Sequence, residues 1–282
     1  MTARRLDGRE LASHLRRDLQ HRVEALTGDD GAAPRLAILR SGSSESATLY
    51  AASLERAARS VGVEPLLATD GDEPLLEMIA RLNDDPQVAG IVVAQPMSDV
   101  EHGRRLVERI DPAKDVDGAT PTNAGWLARG EPAFVPATAL AVIAVLEAYD
   151  IPIAGRRAVI IGRSAVVGRP VASLLVARDA TVVICHRSTR NLARETRRAE
   201  ILVAAAGVPG LVRPEMVNRS TVIVDCGINA VASGIVGDVE FATVAPLVRA
   251  LSPVPGGVGP VTPMMVLRQT VESAERAASQ RQ

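Results

Sequence analysis

Lysine is nearly absent from this chain of 282 residues: of 32 basic side chains, only Lys114 is not an arginine. Arginine is not deprotonated in proteins, so any step that needs a neutral amine has Lys114 as its one candidate. Cysteine is scarce too. Cys185 and Cys226 both sit in apolar, strand-like runs and lack metal-ligand spacing and histidine partners. That excludes a disulfide framework, reads as buried reduced thiols, and assigns no metal. Neither sign of charge is in excess, since 32 basic against 33 acidic residues leave a formal charge of −1. A partner such as nucleic acid or a membrane surface is therefore not expected. No apolar run approaches the roughly 18 residues of a membrane span. The opening Met1-Thr2-Ala3-Arg4-Arg5 leads into a polar helix and does not read as a signal peptide. There are no internal repeats and no low-complexity segments. With 47% hydrophobic residues, the chain reads as a cytoplasmic globular protein, long enough for one large domain or two small ones.

What is present is an alternation of strands and helices. Arg9–Leu26 has helical apolar spacing, followed by strand-like runs at Arg35–Leu39, Leu66–Ala68 and Ala89–Val93. Helical stretches at Ser44–Val61 and Glu73–Leu82 separate them, a βαβ series that implies a parallel sheet. Thr138–Tyr149 reads as a helix leading into a second unit, with strands at Ala158–Ile161, Thr181–Cys185, Ile201–Ala205 and Thr221–Asp225. The expected fold is α/β with two domains, each a mostly parallel sheet with helices. A last helix is expected at about Pro263–Ser279.

Two segments carry chemistry. Ser252–Pro260 packs three glycines and three prolines into nine residues, a rigid, side-chain-poor loop that allows close backbone approach to a flat ligand. The alternative is a tight strand-to-helix connection. The other segment is Val159-Ile160-Ile161-Gly162, an apolar strand ending in glycine before a helix predicted to open near Val166. A helix N-terminus offers free N–H groups to a phosphate. The spacing does not fit G-x-G-x-x-G, however, because Ser164 and Val167 stand at glycine positions, so the dinucleotide signal is weak and a plain βα turn capped by serine is the simpler alternative. Beyond the next strand the sequence runs Cys185-His186-Arg187-Ser188-Thr189, without the acid that accepts from the ribose of NAD. Arg163, Arg187 and Ser188 suit a 2′-phosphate instead, which points to NADP.

These segments, together with Leu6-Asp7-Gly8, Lys114-Asp115-Val116-Asp117-Gly118, Asp225-Cys226-Gly227-Ile228-Asn229 and Gly237-Asp238-Val239, resemble the methylenetetrahydrofolate dehydrogenase/cyclohydrolase family. The likeness runs from about residue 5 to about residue 270. It implies a folate domain over residues 1–138 with 263–282, a Rossmann-like NADP-binding domain over 139–262, a cleft between them, and a homodimer through the second domain. It also implies that Gly162, Arg163, Ser164, Val167 and Gly168 form the nucleotide turn, with Arg187 and Ser188 beside it and Gly227 and Ile228 beside the nicotinamide. Tyr50 and Asp117 fall at catalytic positions, although a core tyrosine and a turn-forming aspartate before Gly118 are the plain alternatives. The folate would lie against Tyr50, Gln95, Asp117 and the loop residues Pro255, Gly256, Gly257, Val258 and Pro260.

The likeness breaks at two positions. The family's lysine, four residues after the tyrosine and on the same helix face, is Leu54 here. Its glutamine at a strand end is Ala94, with Gln95 one step off and so facing the opposite side. In the family the lysine does the proton work of the cyclohydrolase step and the glutamine orients it. Leucine offers no proton acceptor, so cyclohydrolase activity is expected to be weak or lost while hydride transfer stays possible. Two further readings stay open: the same scaffold serving another substrate in a specialised pathway, and a non-catalytic folate or nucleotide binder. Arg163 and Arg187 speak against the last.

Overall fold

The computed structural model describes residues 3–28, 32–42, 44–69, 74–94, 99–232 and 234–280. The chain forms two compact units, Ser13–Ala137 with Pro263–Gln282, and Met1–Ala12 with Thr138–Thr262. In chain order the elements begin β1 (Arg4–Arg5), α1 (Gly8–Thr27), β2 (Arg35–Arg40), α2 (Glu45–Val61), β3 (Glu64–Thr69), α3 (Leu75–Asp84), β4 (Val88–Val93), α4 (Val100–Arg109), α5 (Pro121–Arg129) and α6 (Ala137–Ala148). They continue with β5 (Arg157–Ile161), α7 (Gly168–Val176), β6 (Thr181–Cys185), α8 (Leu192–Thr196), β7 (Ile201–Ala204), β8 (Val222–Asp225), β9 (Asn229–Val231), β10 (Gly234–Val236), α9 (Phe241–Val244), β11 (Ala250–Leu251) and α10 (Val258–Ser279).

The unit built on residues 13–137 holds a three-stranded parallel sheet in the order β3-β2-β4. Leu36–Leu39 of β2 and every residue of β4 are buried, as strands covered on both faces require. Leu39, Ile79, Ile91 and Leu106 share its core. Helix α2 starts where Ser44 accepts from the Ala47 N–H and stops at Gly62, whose φ of 84° is left-handed.

The other unit is a six-stranded parallel sheet in the order β1-β11-β8-β7-β5-β6. Strand β5 pairs with β6 on one side and β7 on the other, so the winding reverses at the carboxyl end of β5. In open α/β sheets this reversal is where a ligand crevice forms. β9 and β10 make a separate antiparallel hairpin.

Three expectations are corrected. Residues 1–12 group with the six-stranded sheet, because Arg4 and Arg5 pair with Ala250 and Leu251. Helix α10 begins at Val258, inside the Pro-Gly loop, five positions before the expected start. Pro260 fits there because the first-turn N–H groups have no intrahelical acceptor to lose. Pro263 lies in the helix interior and deprives the Gly259 carbonyl of a donor, at a residue that faces solvent. Finally, α7 opens at Gly168, two residues beyond the expected start near Val166.

Candidate active site

In the first unit, α2 carries Tyr50 and Leu54 one turn apart, the tyrosine half-buried and the leucine fully buried. Burial pushes the Tyr50 hydroxyl well above its usual range, and the charge of Asp117 raises it further, so the two groups lie within electrostatic reach. Asp117 accepts from the Ala137 N–H at 3.1 Å. That bond does not offset its desolvation, and with Asp115 nearby the carboxyl is pushed up to about 7. Ala94 is fully buried at the end of β4, its N–H donated to the Leu39 carbonyl. Gln95 lies outside the described residues.

Neighbouring polar groups hold Asp117 in place. Asp115 is buried and accepts from the Ala119 and Thr120 N–H groups and from the Asn123 amide. At Gly118, with φ of 55°, a Cβ would sit 2.5 Å from the Phe134 carbonyl oxygen. Gln269 of α10 donates to the Val116 and Val135 carbonyls and accepts from the Val135 N–H. The sequence reading missed Gln269. An uncharged polar residue among Met264, Met265, Leu267 and Val271 of a buried helix was the signal. Lys114 is committed elsewhere: its ammonium donates to the carbonyls of Leu82, Asn83 and Asp85 at the C-terminal end of α3.

In the second unit, Gly162 ends β5 with φ of 126°, and a Cβ there would lie 2.1 Å from the Ala205 carbonyl oxygen. A Cβ on Gly168 would lie 2.2 Å from the Gly162 oxygen. Only glycine closes this turn. Ser164 accepts from the Val167 and Gly168 N–H groups and its carbonyl takes the Arg169 N–H. The first donors of α7 are thus already used, and the N–H groups free of a partner among the described residues are those of the loop 163–166. Arg163, Arg187 and Ser188 are exposed, and neither arginine has a carboxylate partner among the described residues. Glu195, the acid whose charge reaches Cys185, sits 3.4 Å from Arg157. Open backbone donors, unpaired guanidinium groups and a glycine cradle fit a phosphorylated dinucleotide.

The Pro-Gly loop belongs to this second unit. Gly256 has φ of 114°, and its carbonyl accepts the Gly8 N–H at 2.8 Å. Gly8 itself could carry no Cβ, which would fall 1.8 Å from the Gly257 oxygen. Gly257 donates to the Pro253 carbonyl at 2.7 Å, while Pro255 is exposed and Pro260 half-buried in the first turn of α10. Gly227 is buried and Ile228 beside it is 72% exposed. The structure therefore brings together Tyr50, Leu54, Ala94 and Asp117 in one unit, and the loop, the nucleotide turn, Arg187, Ser188, Gly227 and Ile228 in the other.

Comparison with known families gives two matches: the tetrahydrofolate dehydrogenase/cyclohydrolase catalytic domain over residues 6–117 and the NAD(P)-binding domain of the same family over residues 136–278. The chain belongs to this family. The bifunctional protein FolD 1 of Saccharopolyspora erythraea is 43% identical over 277 residues, covering 96% of this chain and 94% of that protein. FolD of Parafrankia sp. is 45% identical over 274 residues, covering 96% and 99%. Among solved structures, the FolD methylenetetrahydrofolate dehydrogenase/cyclohydrolase of Campylobacter jejuni has a TM-score of 0.92 at 39% identity, covering 96% of this chain and 98% of that one. That of Trypanosoma brucei, solved with NADP cofactor and inhibitor, has a TM-score of 0.93 at 33% identity, covering 99% of each. As an NAD(P)-dependent family member, the chain carries the glycine turn complete. Among the described residues no helix is long and apolar enough to cross a membrane, and no cluster of His, Cys, Asp or Glu could hold a metal ion.

Proposed function

We propose that this protein is an NADP-dependent methylenetetrahydrofolate dehydrogenase whose cyclohydrolase activity is lost. One observation carries the second half: at the positions of the family's lysine and glutamine stand Leu54 and Ala94, both with no exposed surface. A general base must present an unprotonated group within hydrogen-bond reach of the water it activates. Leu54 has none, Arg59 on the next turn pairs with Glu55 at 2.9 Å, and the chain's one lysine is tied to three carbonyls.

Hydride transfer asks less of these side chains. NADP, when bound, supplies the hydride acceptor, and the protein must hold donor carbon and acceptor ring face to face. Asp117 would take the pterin's N–H groups as a carboxylate, with Tyr50 beside it, and the Pro-Gly loop would offer a flat backbone surface. Arg163, Arg187 and Ser188 would hold the 2′-phosphate, while Gly227 and Ile228 would line the nicotinamide. The product would then leave as the methenyl cation, not as the formyl compound. We further propose a cytoplasmic homodimer formed through the unit of residues 138–262, where edge strand β6 exposes Ile184.

The second reading, another substrate on this scaffold, draws on the same apolar residues Leu54 and Ala94, which would suit a ligand that the family's charged site rejects. A steady-state assay with methylenetetrahydrofolate and NADP separates the two. Reduction of NADP with the formyl product appearing no faster than by hydrolysis in buffer supports the dehydrogenase, and tight NADP binding without turnover supports the other substrate.

A further inference from the structure

Two buried aspartates at the carboxyl ends of β7 and β8 make one hydrogen-bonded knot. Asp238 is fully buried and accepts four donors. Its Oδ2 takes the N–H groups of Ala206 and Gly207 at 2.6 and 2.9 Å, and its Oδ1 takes the Val208 N–H at 3.0 Å and the Asn229 amide at 2.9 Å. Asp225, also buried, accepts from the N–H groups of Gly227, Asp238 and Val239 at 2.9 to 3.0 Å. Its own N–H is donated to the Ser252 hydroxyl at 2.8 Å. The fit leaves no room for side chains. A Cβ on Gly227 would lie 2.3 Å from the Asp238 carboxylate, and one on Gly237 would lie 1.9 Å from that of Asp225.

No cation supports either carboxylate among the described residues, so seven neutral donors carry the cost of burying two like charges side by side. Burial pushes Asp225 up to about 6 even so. A merely structural core would be served more cheaply by apolar residues. What the carboxylates do that apolar groups cannot is fix the direction of N–H groups in two loops at once.

The position of those loops gives the knot its meaning. Ala206–Val208 follow Ala205, the residue packed against Gly162 in the nucleotide turn. Asn229 follows Gly227 and Ile228, assigned above to the nicotinamide. We propose that Asp238 is a positioning residue for the cofactor: it locks the loop behind the phosphate turn and, through Asn229, the backbone facing the nicotinamide, into one rigid piece. Asp225 sets Asp238 by holding its N–H. The inference rests on the cofactor reading of this end of the sheet.

Asp238→Asn keeps the volume but turns an amide donor toward two N–H donors. In the cofactor-free protein, the Ala206–Val208 amides should lose hydrogen-exchange protection at least tenfold while β5 and β7 amides keep theirs. NADP binding, read by calorimetry, should weaken ten- to hundredfold, and the KM for methylenetetrahydrofolate should stay within twofold. Asn229→Ala, a milder change, should lower kcat several-fold and leave the Kd of adenosine 2′,5′-bisphosphate, which lacks the nicotinamide, unchanged. If Asp238→Asn does not fold, Asn229→Ala alone decides, and wild-type kcat in that variant refutes the proposal. A folded Asp238→Asn variant with lowered Tm but wild-type NADP affinity also refutes it, because the knot would then be structural only. Failure of the wild-type protein to bind NADP would overturn the cofactor reading itself, a result distinct from either.

Discussion

The carboxyl end of β5 and the face of α2 are both places where the family puts chemistry, and this chain has treated them differently. Beyond β5 and β6 the glycine turn, its serine cap and two exposed arginines are in place and no ribose-binding acid follows β6, with two glycines at which a single methyl group would collide with backbone. On α2 the tyrosine survives, while the position one turn along is a leucine with no exposed surface, matched by an alanine of the same burial at the end of β4. On the function proposed above, the family's two activities would draw on separable parts of the protein. Hydride transfer needs a held cofactor and a held substrate; hydrolysis needs a base. If Leu54 and Ala94 replace the family's lysine and glutamine, the joint change would avoid leaving either polar group unpaired where both positions are fully buried.

The sharpest way to break this contrast is the hydrolysis assay. Methenyltetrahydrofolate should hydrolyse no faster with the protein than in buffer, and rapid hydrolysis would place a base that the α2 face does not show. Leu54→Lys with Ala94→Gln should restore turnover by about 10²-fold over the parent, the size of a general-base contribution. Leu54→Lys alone should restore less and lower Tm, since a buried ammonium without a partner is costly.

Gly162→Ala comes next. A Cβ 2.1 Å from the Ala205 oxygen at φ of 126° must distort the turn. NADP binding should fall below detection by calorimetry, and stability should drop by about 2 kcal/mol or more in urea unfolding. Near-normal binding would mean the turn is not the cofactor cradle.

Arg187→Ala should weaken NADP by roughly 1–3 kcal/mol, the range of a charge-assisted contact, and leave NAD nearly unchanged. Equal losses for both cofactors would remove Arg187 from the 2′-phosphate. The smallest effect is expected from pH. With Asp117 titrating at about 7, the anion that accepts from the pterin grows about tenfold between pH 6 and 8, and kcat/KM should follow it. Asp117→Asn should lower kcat/KM and flatten that rise. The raised value also means that the folded protein holds a proton the unfolded chain has lost, so stability falls as pH rises through 7. In Asp117→Asn that decline should be smaller, which urea midpoints at pH 5 and 8 would measure.

How much of this was legible in sequence depended on whether the cause was local. Helix α2 was readable because Ser44 caps it and Gly62 ends it within the same stretch. Strands β2 and β4 were readable from unbroken apolar runs, whereas the nucleotide turn was readable only through the family resemblance, because Ser164 and Val167 break the glycine spacing. The start of α10 lies earlier than the sequence implies because the whole Pro-Gly run reads as loop, whereas a first turn has no N–H bond for Pro260 to break. The aspartate knot was visible only as letters in two motifs, since its donors at 206–208 lie 30 to 32 positions from Asp238. No window along the chain pairs them. The placement of residues 1–12 failed for the same reason.

That placement has a consequence for how the molecule is made. Arg4 pairs with Ala250 and Arg5 with Leu251, so the sheet's last seam joins residues 246 positions apart. Each compact unit is also assembled from two separate stretches of chain. Contacts of such range close late and slowly, because the loop entropy must be met before the pairing rewards it. On the ribosome, β5 to β7 can pair as soon as they emerge, but the edge of β8 stays open until β11 has been synthesised, and that of β11 until β1 has returned to it. An unpaired strand edge is a site for wrong pairing. Two residues at the start of the chain thus act as the closing clasp of a sheet that everything between them must first build.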